Sequence, residues 1–378
     1  MNNPFIITSE YISPAFFCDR EVETGILIDN IVNGRNTVLV SPRRMGKSGL
    51  ISHVFNREPI FSNFETFSID LYSASSLAEM VLFLGRSISD RLKKDRQKRM
   101  DSFFSFVQSL RPGFKVDPVT GAIGFEISLG EITRPKDSLE EIFSYLESAR
   151  RPCVVAIDEF QQIAEFPEKN VVETLRSLVQ KCKNTLFIFS GSKRRMMDRL
   201  FNSPSEPFYM SCVPLYLERI DRETYCNFAC SLFTIYSKSL ERQCFYDVYD
   251  RFEGHTWYVQ RVMNELFART DKGEQATFDA VADAVDFIVK LGTRGYEEQF
   301  VSFPSAQKQL LIAIAREGKA EQVTSIAFVK KHALKSPSTV QSALRVLYEK
   351  EIVTKEQGKY MITNRFFALW ILRQYVSA

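Results

Sequence analysis

The feature that most constrains this chain is a loop set between a strand and a helix. Thr37-Val38-Leu39-Val40 is a short aliphatic, β-branched run. Ser41-Pro42-Arg43-Arg44-Met45-Gly46-Lys47-Ser48 follows it, and a helical pattern covers Lys47 to Phe55. The loop fits G-x-x-x-x-G-K-[ST] everywhere but at its first position, where Ser41 replaces Gly. Successive backbone N–H groups at a helix N-terminus surround a polyphosphate. Gly46 lets the loop turn tightly, Lys47 places a point charge on the β- and γ-phosphates, and the Ser48 hydroxyl is a Mg²⁺ ligand. The nucleotide-contacting residues expected here are Pro42, Arg43, Arg44, Met45, Gly46, Lys47, Ser48 and Gly49.

A second motif lies 111 residues after Lys47. Cys153 to Ile157 is an apolar strand that ends in Asp158-Glu159. Such a strand ends at the carboxyl edge of its sheet, where open α/β sheets bind ligands. Asp158 is then placed to hold Mg²⁺ and Glu159 to orient or deprotonate the attacking water. The competing reading is an N-cap Asp with a solvated Glu beside it. Gln161 and Gln162 follow with no role assigned. After a further strand, Thr185 to Phe189, come Ser190-Gly191-Ser192-Lys193-Arg194-Arg195. Ser190 or Ser192 is a candidate to hydrogen-bond the water or the γ-phosphate, or else is a turn residue. Ser190 joins Glu159 and Lys47 as the catalytic candidates. Arg194 and Arg195 read as a solvated helix start, with a trans-acting arginine finger as the alternative.

Between these motifs, apolar strands alternate with amphipathic helices. Further strands are expected at Thr66 to Leu71 and Tyr209 to Leu217, the latter irregular or at an edge because of Pro214. Helices are expected at Leu77 to Arg99, Leu139 to Ala149 and Val171 to Cys182. That order predicts an α/β fold, a parallel P-loop sheet with helices on both faces. Turn signals at Asp117-Pro118 and Thr120-Gly121 predict an inserted hairpin over 114–132. From Glu218 the pattern is helical only, with helices at Glu223 to Lys238, Glu241 to Phe252, Tyr258 to Thr270 and Phe278 to Leu291. From Pro304 it reads helix, helix, helix, strand, turn, strand, the order of a winged helix-turn-helix. Three domains are expected: 1–217, 218–302 and 303–378.

Charge supports that last division. The chain carries 49 Lys/Arg and 46 Asp/Glu, yet Pro304 to Ala378 has 12 Lys/Arg against five Glu, a local +7. A basic C-terminal module fits duplex DNA. The Pro337 helix would present Ser338, Gln341, Ser342 and Arg345 to a major groove. Lys330, Lys331, Lys335, Lys355 and Lys359 would contact phosphates. Packing against the helical segment or binding a protein partner is the other use of such a module. Three His and seven scattered Cys with no C-x-x-C argue against a zinc site. No apolar run approaches the ~18 residues of a membrane span, so no membrane partner and a cytoplasmic location are expected.

With these motifs in place, the chain resembles the archaeal-type ATPases of the STAND clade, relatives of AAA+ proteins, over nearly its whole length. Phe16-Phe17-Cys18-Asp19-Arg20-Glu21-Val22-Glu23 is similar to the clade's motif before the first strand, with Asp19 where Gly is usual. PRRMGKS, VVAIDEF and FIFSGS are similar to its phosphate-loop, acidic and sensor segments. Tyr360 to Trp370 resembles the end of its winged helix. The resemblance implies ATP and Mg²⁺ as cofactors, a helical lid over 218–302, and Arg20 as a nucleotide contact near the adenine. Gly254-His255-Thr256 stands where the clade often has G-x-P, with Thr256 for Pro, so no lid residue is carried over. The expected activity is a Mg²⁺-dependent ATPase switch, slow without a partner, with the winged helix as output and self-association open. A DNA-binding regulator with little turnover and a protein-interaction scaffold are the alternatives.

Overall fold

A computed structural model of the chain describes residues 3–7, 13–94, 115–116, 123–124, 132 and 134–376. Its contacts divide into two compact units, Thr8–Asp221 and Met1–Ile7 with Arg222–Ala378.

The first unit is built on five parallel strands: β1 (Thr37–Val40), β2 (Glu65–Asp70), β5 (Cys153–Asp158), β6 (Thr185–Gly191) and β7 (Val213–Tyr216), in the order β2-β5-β6-β1-β7. Because side chains alternate along a strand, each strand feeds two cores. Val38, Val40, Val155, Ile157, Phe187 and Phe189 enter one, under helices Leu77–Lys94, Pro135–Glu147, Val171–Lys181 and Arg194–Asn202. Leu39, Val154, Ala156 and Ile188 enter the other, against helices Glu21–Val32 and Lys47–Phe55. Burial on both faces is why these strands read as unbroken apolar runs. The fold is the expected α/β sheet with helices on both faces.

Several elements differ in extent. The last strand contracts to Val213–Tyr216 at the sheet edge, pairing only with β1. Pro214 is tolerated there because an edge strand leaves one side of its backbone unpaired. Helix Glu21–Val32 was not expected from the sequence. Its apolar residues do not keep to one stripe: Val22 and Val32 are exposed. Of the expected hairpin over 114–132, β3 (Lys115–Val116) and β4 (Ile123–Gly124) pair antiparallel; the remainder, apart from Ile132, lies outside the described residues, as do 95–99 of the expected Leu77 to Arg99 helix.

The second unit holds helices Arg222–Ile235, Arg242–Arg251, Thr256–Arg269 and Phe278–Val301. The expectation of helices alone needs one correction: β8 (Ser239–Leu240) and β9 (Gln275–Ala276) form a short parallel pair. The last of these helices passes its expected end at Leu291. Gly292 does not break it, because the absent Cβ makes room for the Tyr296 ring, which packs against Phe367 and Trp370. The N-terminal segment also belongs to this unit. Phe5 is fully buried against Phe233 and Phe267 at 5.7 and 5.9 Å, and Asn264 Nδ2 donates to the Phe5 carbonyl at 2.7 Å.

The chain ends in helices Ser305–Glu317, Ile326–Lys331 and Pro337–Glu349, the antiparallel pair β10 (Val353–Glu356) and β11 (Lys359–Ile362), and helix Arg365–Tyr375. Ser336 caps the third helix by accepting from the Thr339 amide at 3.2 Å, with Pro337 at its first position. Among the described residues no helix is long and apolar enough to cross a membrane.

A cluster of Phe160, Phe189, Phe201 and Phe208, with ring centroids 4.4–5.7 Å apart, lies next in sequence to the acidic pair and to Ser190. Phe189→Ala should cost about 3–5 kcal/mol, the range for emptying a buried Phe site, read as a shift in the denaturant midpoint of the first unit.

Candidate functional site

The phosphate-loop strand and the acidic strand are not neighbours. β6 lies between them, so the tips of three strands meet at one edge. β1 leads into the loop. Met45 is buried in the core beneath Lys47–Phe55 and pins the loop to the sheet. Arg44 and Gly46 take left-handed backbone conformations, φ 67° and 92°, which Gly46 adopts at no steric cost. No side chain caps the helix that begins at Lys47, so its first N–H groups keep the anion-binding character of a helix N-terminus.

Lys47, Asp158 and Glu159 are all more than nine-tenths buried. Lys47 Nζ lies 3.6 Å from Glu159 Oε1 and 4.0 Å from Asp158 Oδ1. Ser48 Oγ donates to Asp158 Oδ2 at 2.7 Å. Ser190 Oγ and the Glu159 amide donate to Asp158 Oδ1 at 2.6 and 2.9 Å. Desolvation opposes ionisation of Asp158, but Lys47 and the donors Ser190, Ser48 and Glu159 N outweigh it and hold the carboxyl below the usual Asp range. Glu159 sits at φ 51°, ψ 40°, a conformation costly for a non-Gly residue and concentrated at functional sites.

Lys47, Ser48, Asp158 and Glu159, far apart in sequence, thus form one hydrogen-bonded and ion-paired cluster. Ser190 joins it differently from the sequence expectation. It is fully buried and its hydroxyl is given to Asp158, because the strand pleat turns it under the tip. Ser192, two residues on, donates to Glu159 Oε2 at 2.7 Å. Gln161, buried and given no role from sequence, donates through Nε2 to the same oxygen. Asp70, also without a role from sequence, ends β2 in register with Asp158. Its carboxyl is raised by desolvation and by Asp158 and Glu159, against the Tyr72 amide and Lys47. The one available signal for Asp70 was that TFSID, like CVVAID, is a strand ending in Asp.

The remaining loop residues lie around this cluster. Pro42 and Arg44 are exposed; Arg43 stacks over Tyr72 at 4.8 Å. Phe17 packs beside Gly49 and stacks on His53 at 4.0 Å, which brings the Phe16–Glu23 segment against the phosphate-loop helix. Arg20 is buried, pairs with Glu23 at 2.8 Å, and keeps Nη2 buried with no hydrogen-bond partner.

The residue set fits Mg²⁺. A pair of hard oxygen donors, the exposed Ser48 hydroxyl and the buried Asp158 carboxylate, lies beside two further carboxylates and one ammonium, and the group carries a net negative charge. Ser48 and Asp158 are the residues that would hold it.

On the second unit, Ser338, Gln341, Ser342 and Arg345 share the exposed face of Pro337–Glu349. Lys355 is exposed and lies over Tyr360, and Lys359 pairs with Glu321 at 2.8 Å. Surface pairs of that kind are weak enough to be exchanged for phosphate. The Glu253–Tyr258 segment, which holds Gly254-His255-Thr256, is fastened to the winged helix. Glu253 meets Lys319 at 2.8 Å and Arg365 at 3.4 Å, and Tyr258 Oη donates to the Thr363 carbonyl at 2.9 Å.

Comparisons with known proteins agree with this fold. A family model described as a probable winged helix domain matches residues 294–373. The chain is similar to the Walker-type ATPase Paby2304 of Pyrococcus abyssi: 17% identity, 97% of this chain and 99% of that one, TM-score 0.63. It is similar to the ADP form of the ORC2 protein of Aeropyrum pernix: 12% identity, 98% of each chain, TM-score 0.54. It is also similar to Cdc6p of Pyrobaculum aerophilum: 13% identity, 99% and 97% coverage, TM-score 0.50. No curated protein matches the chain. The fold is that of P-loop ATPases of the ORC/Cdc6 type, with a C-terminal winged helix domain.

Ser190→Ala should cost about 1.5–3 kcal/mol, the value of a hydrogen bond to a buried charge. Thermal unfolding of the variant checks this, since a mere turn residue would change stability by less than about 0.5 kcal/mol.

Proposed function

We propose that this protein binds and hydrolyses Mg-ATP at the Lys47–Asp158–Glu159 cluster and uses the nucleotide state to switch a winged-helix output module that acts on duplex DNA. The observation that carries this reading is the convergence of Lys47, Ser48, Asp158 and Glu159 at the mouth of an uncapped helix N-terminus. The adenine nucleotide in the ORC2 neighbour supports ATP as the ligand. So does the resemblance to STAND-clade ATPases; in this reading the core, lid and winged helix divide the chain over 1–217, 218–302 and 303–378, with residues 1–7 in the second unit.

Each residue has a task in this reading. Lys47 leaves its two carboxylates for the β- and γ-phosphates, and Arg43 to Gly49 wrap them with backbone N–H groups, while Pro42, which has no N–H, sets the entry of the loop. Ser48 and Asp158 would hold Mg²⁺, which would neutralise charge on the phosphates when bound. Glu159 accepts the proton of the attacking water through Oε1, the oxygen that faces Lys47. Ser190 keeps Asp158 ionised and fixed. Arg20, with a buried donor to spare, contacts the nucleotide. The Glu253–Tyr258 segment, tied to the winged helix through Arg365 and Thr363, passes movement of the lid to the output module. Turnover is slow until a partner completes the site.

Lys47→Ala should abolish Mg-ATP binding measured by calorimetry; binding equal to wild type would show that the site is elsewhere. Duplex DNA should bind with an affinity that falls steeply between about 50 and 200 mM salt, as counterion release requires, and Arg345→Ala with Lys355→Ala should flatten that slope. A slope near zero in the wild type would move the output from DNA to a protein partner.

A further inference from the structure

Glu159 is held by more than the resemblance or the motif explains. Its Oε2 accepts from two donors of separate origin, Gln161 Nε2 on the turn that follows β5 and Ser192 Oγ beyond the tip of β6. Its Oε1 is left facing Lys47 Nζ at 3.6 Å. The β6 tip therefore gives one hydroxyl to each carboxylate of the pair, Ser190 to Asp158 and Ser192 to Glu159. Gly191 between them is required by this arrangement. A Cβ there would collide with Gln161 Oε1 and with the Met197 side chain, so only glycine lets the Gln161 amide lie over the tip.

The Gln161 amide also pays no attention to its own satisfaction. It turns Nε2 to the carboxylate, since two oxygens would repel, and this leaves Oε1 buried with no hydrogen-bond partner. Its burial is nearly complete, so its position is fixed by packing. Among the described residues, Asp70 and Asp158 end neighbouring strands at this edge in register, and Lys47 is a buried cation beside them.

We propose that Gln161 and Ser192 are positioning residues for Glu159. By occupying Oε2 they fix the rotamer in which Oε1 points to the side of the site that Lys47 serves, so that one oxygen of the base is aimed and the other is anchored. Both side chains bond to the same Glu159 oxygen, and it is through Glu159 that they act. The inference rests on the hydrolysis reading above.

The test is steady-state Mg-ATP turnover by the full chain, against Glu159→Gln as blank, across ATP concentration and pH. Ser192→Ala should lower kcat about tenfold, the loss expected for one hydrogen bond to a charged group, with KM changed less than about twofold. Gln161→Glu is isosteric but places a second carboxylate against Glu159. Its kcat should fall further at neutral pH and recover relative to wild type as pH is lowered, because the introduced carboxyl, its pKa raised by burial beside a like charge, then donates a proton to the contact. A structural lesion would show no such recovery. Ser192→Ala with unchanged or raised kcat, or with KM and kcat lost together, overturns the positioning role while leaving hydrolysis intact. Wild-type turnover no higher than the Glu159→Gln blank overturns the hydrolysis reading, and the positioning role with it.

Discussion

The ion cluster of Lys47 with Asp158 and Glu159 is the constraint on which the first unit depends. Three charges are taken out of water at the edge of a sheet, and each isolated ion would cost several kcal/mol. They are tolerated because every carboxylate oxygen has a partner: Ser48, Ser190 and the Glu159 amide for Asp158, and Ser192, Gln161 and Lys47 for Glu159. The cluster still holds more negative than positive charge. A site in that condition is poised for a divalent cation with a polyphosphate.

The sheet order makes the cluster possible. With β6 between β1 and β5, the loop lysine reaches the acidic pair across one strand width, and the tip of that strand supplies hydroxyls to both carboxylates. The phenylalanine cluster of Phe160, Phe189, Phe201 and Phe208 packs next to these residues in sequence and gives them a rigid apolar floor. Precision at the site is therefore a property of the core. In the second unit, the Glu253, Tyr258 and Arg365 contacts make the helical segment and the winged helix parts of one packed body.

The parallel sheet was legible because strands buried on both faces must be apolar throughout, and β1, β5 and β6 are. The phosphate loop and Asp158-Glu159 were legible because their chemistry is local in sequence. What was not legible is what depends on who meets whom in space. Helix Glu21–Val32 carries exposed valines that blur its period. Phe5 looks like an unremarkable terminal residue until Phe233 and Phe267 close on it. Gly292 reads as a helix end, and only the Tyr296 ring shows why it is mid-helix. Ser190 and Ser192 were both candidates by position, with Ser190 named as the catalytic one, whereas the strand pleat gives Ser190 to Asp158 and leaves Ser192 for Glu159. Gln161 carried no signal, because its partner is two residues away across a left-handed turn that no pattern announces.

The most direct measurement of the central claim is Mg-ATP turnover by the purified full chain, with and without duplex DNA, set against Glu159→Gln. The account predicts turnover that this substitution abolishes and that duplex DNA raises. Turnover equal in the two proteins would contradict it, because the cluster would then be an ion pair that holds the sheet edge together and performs no chemistry.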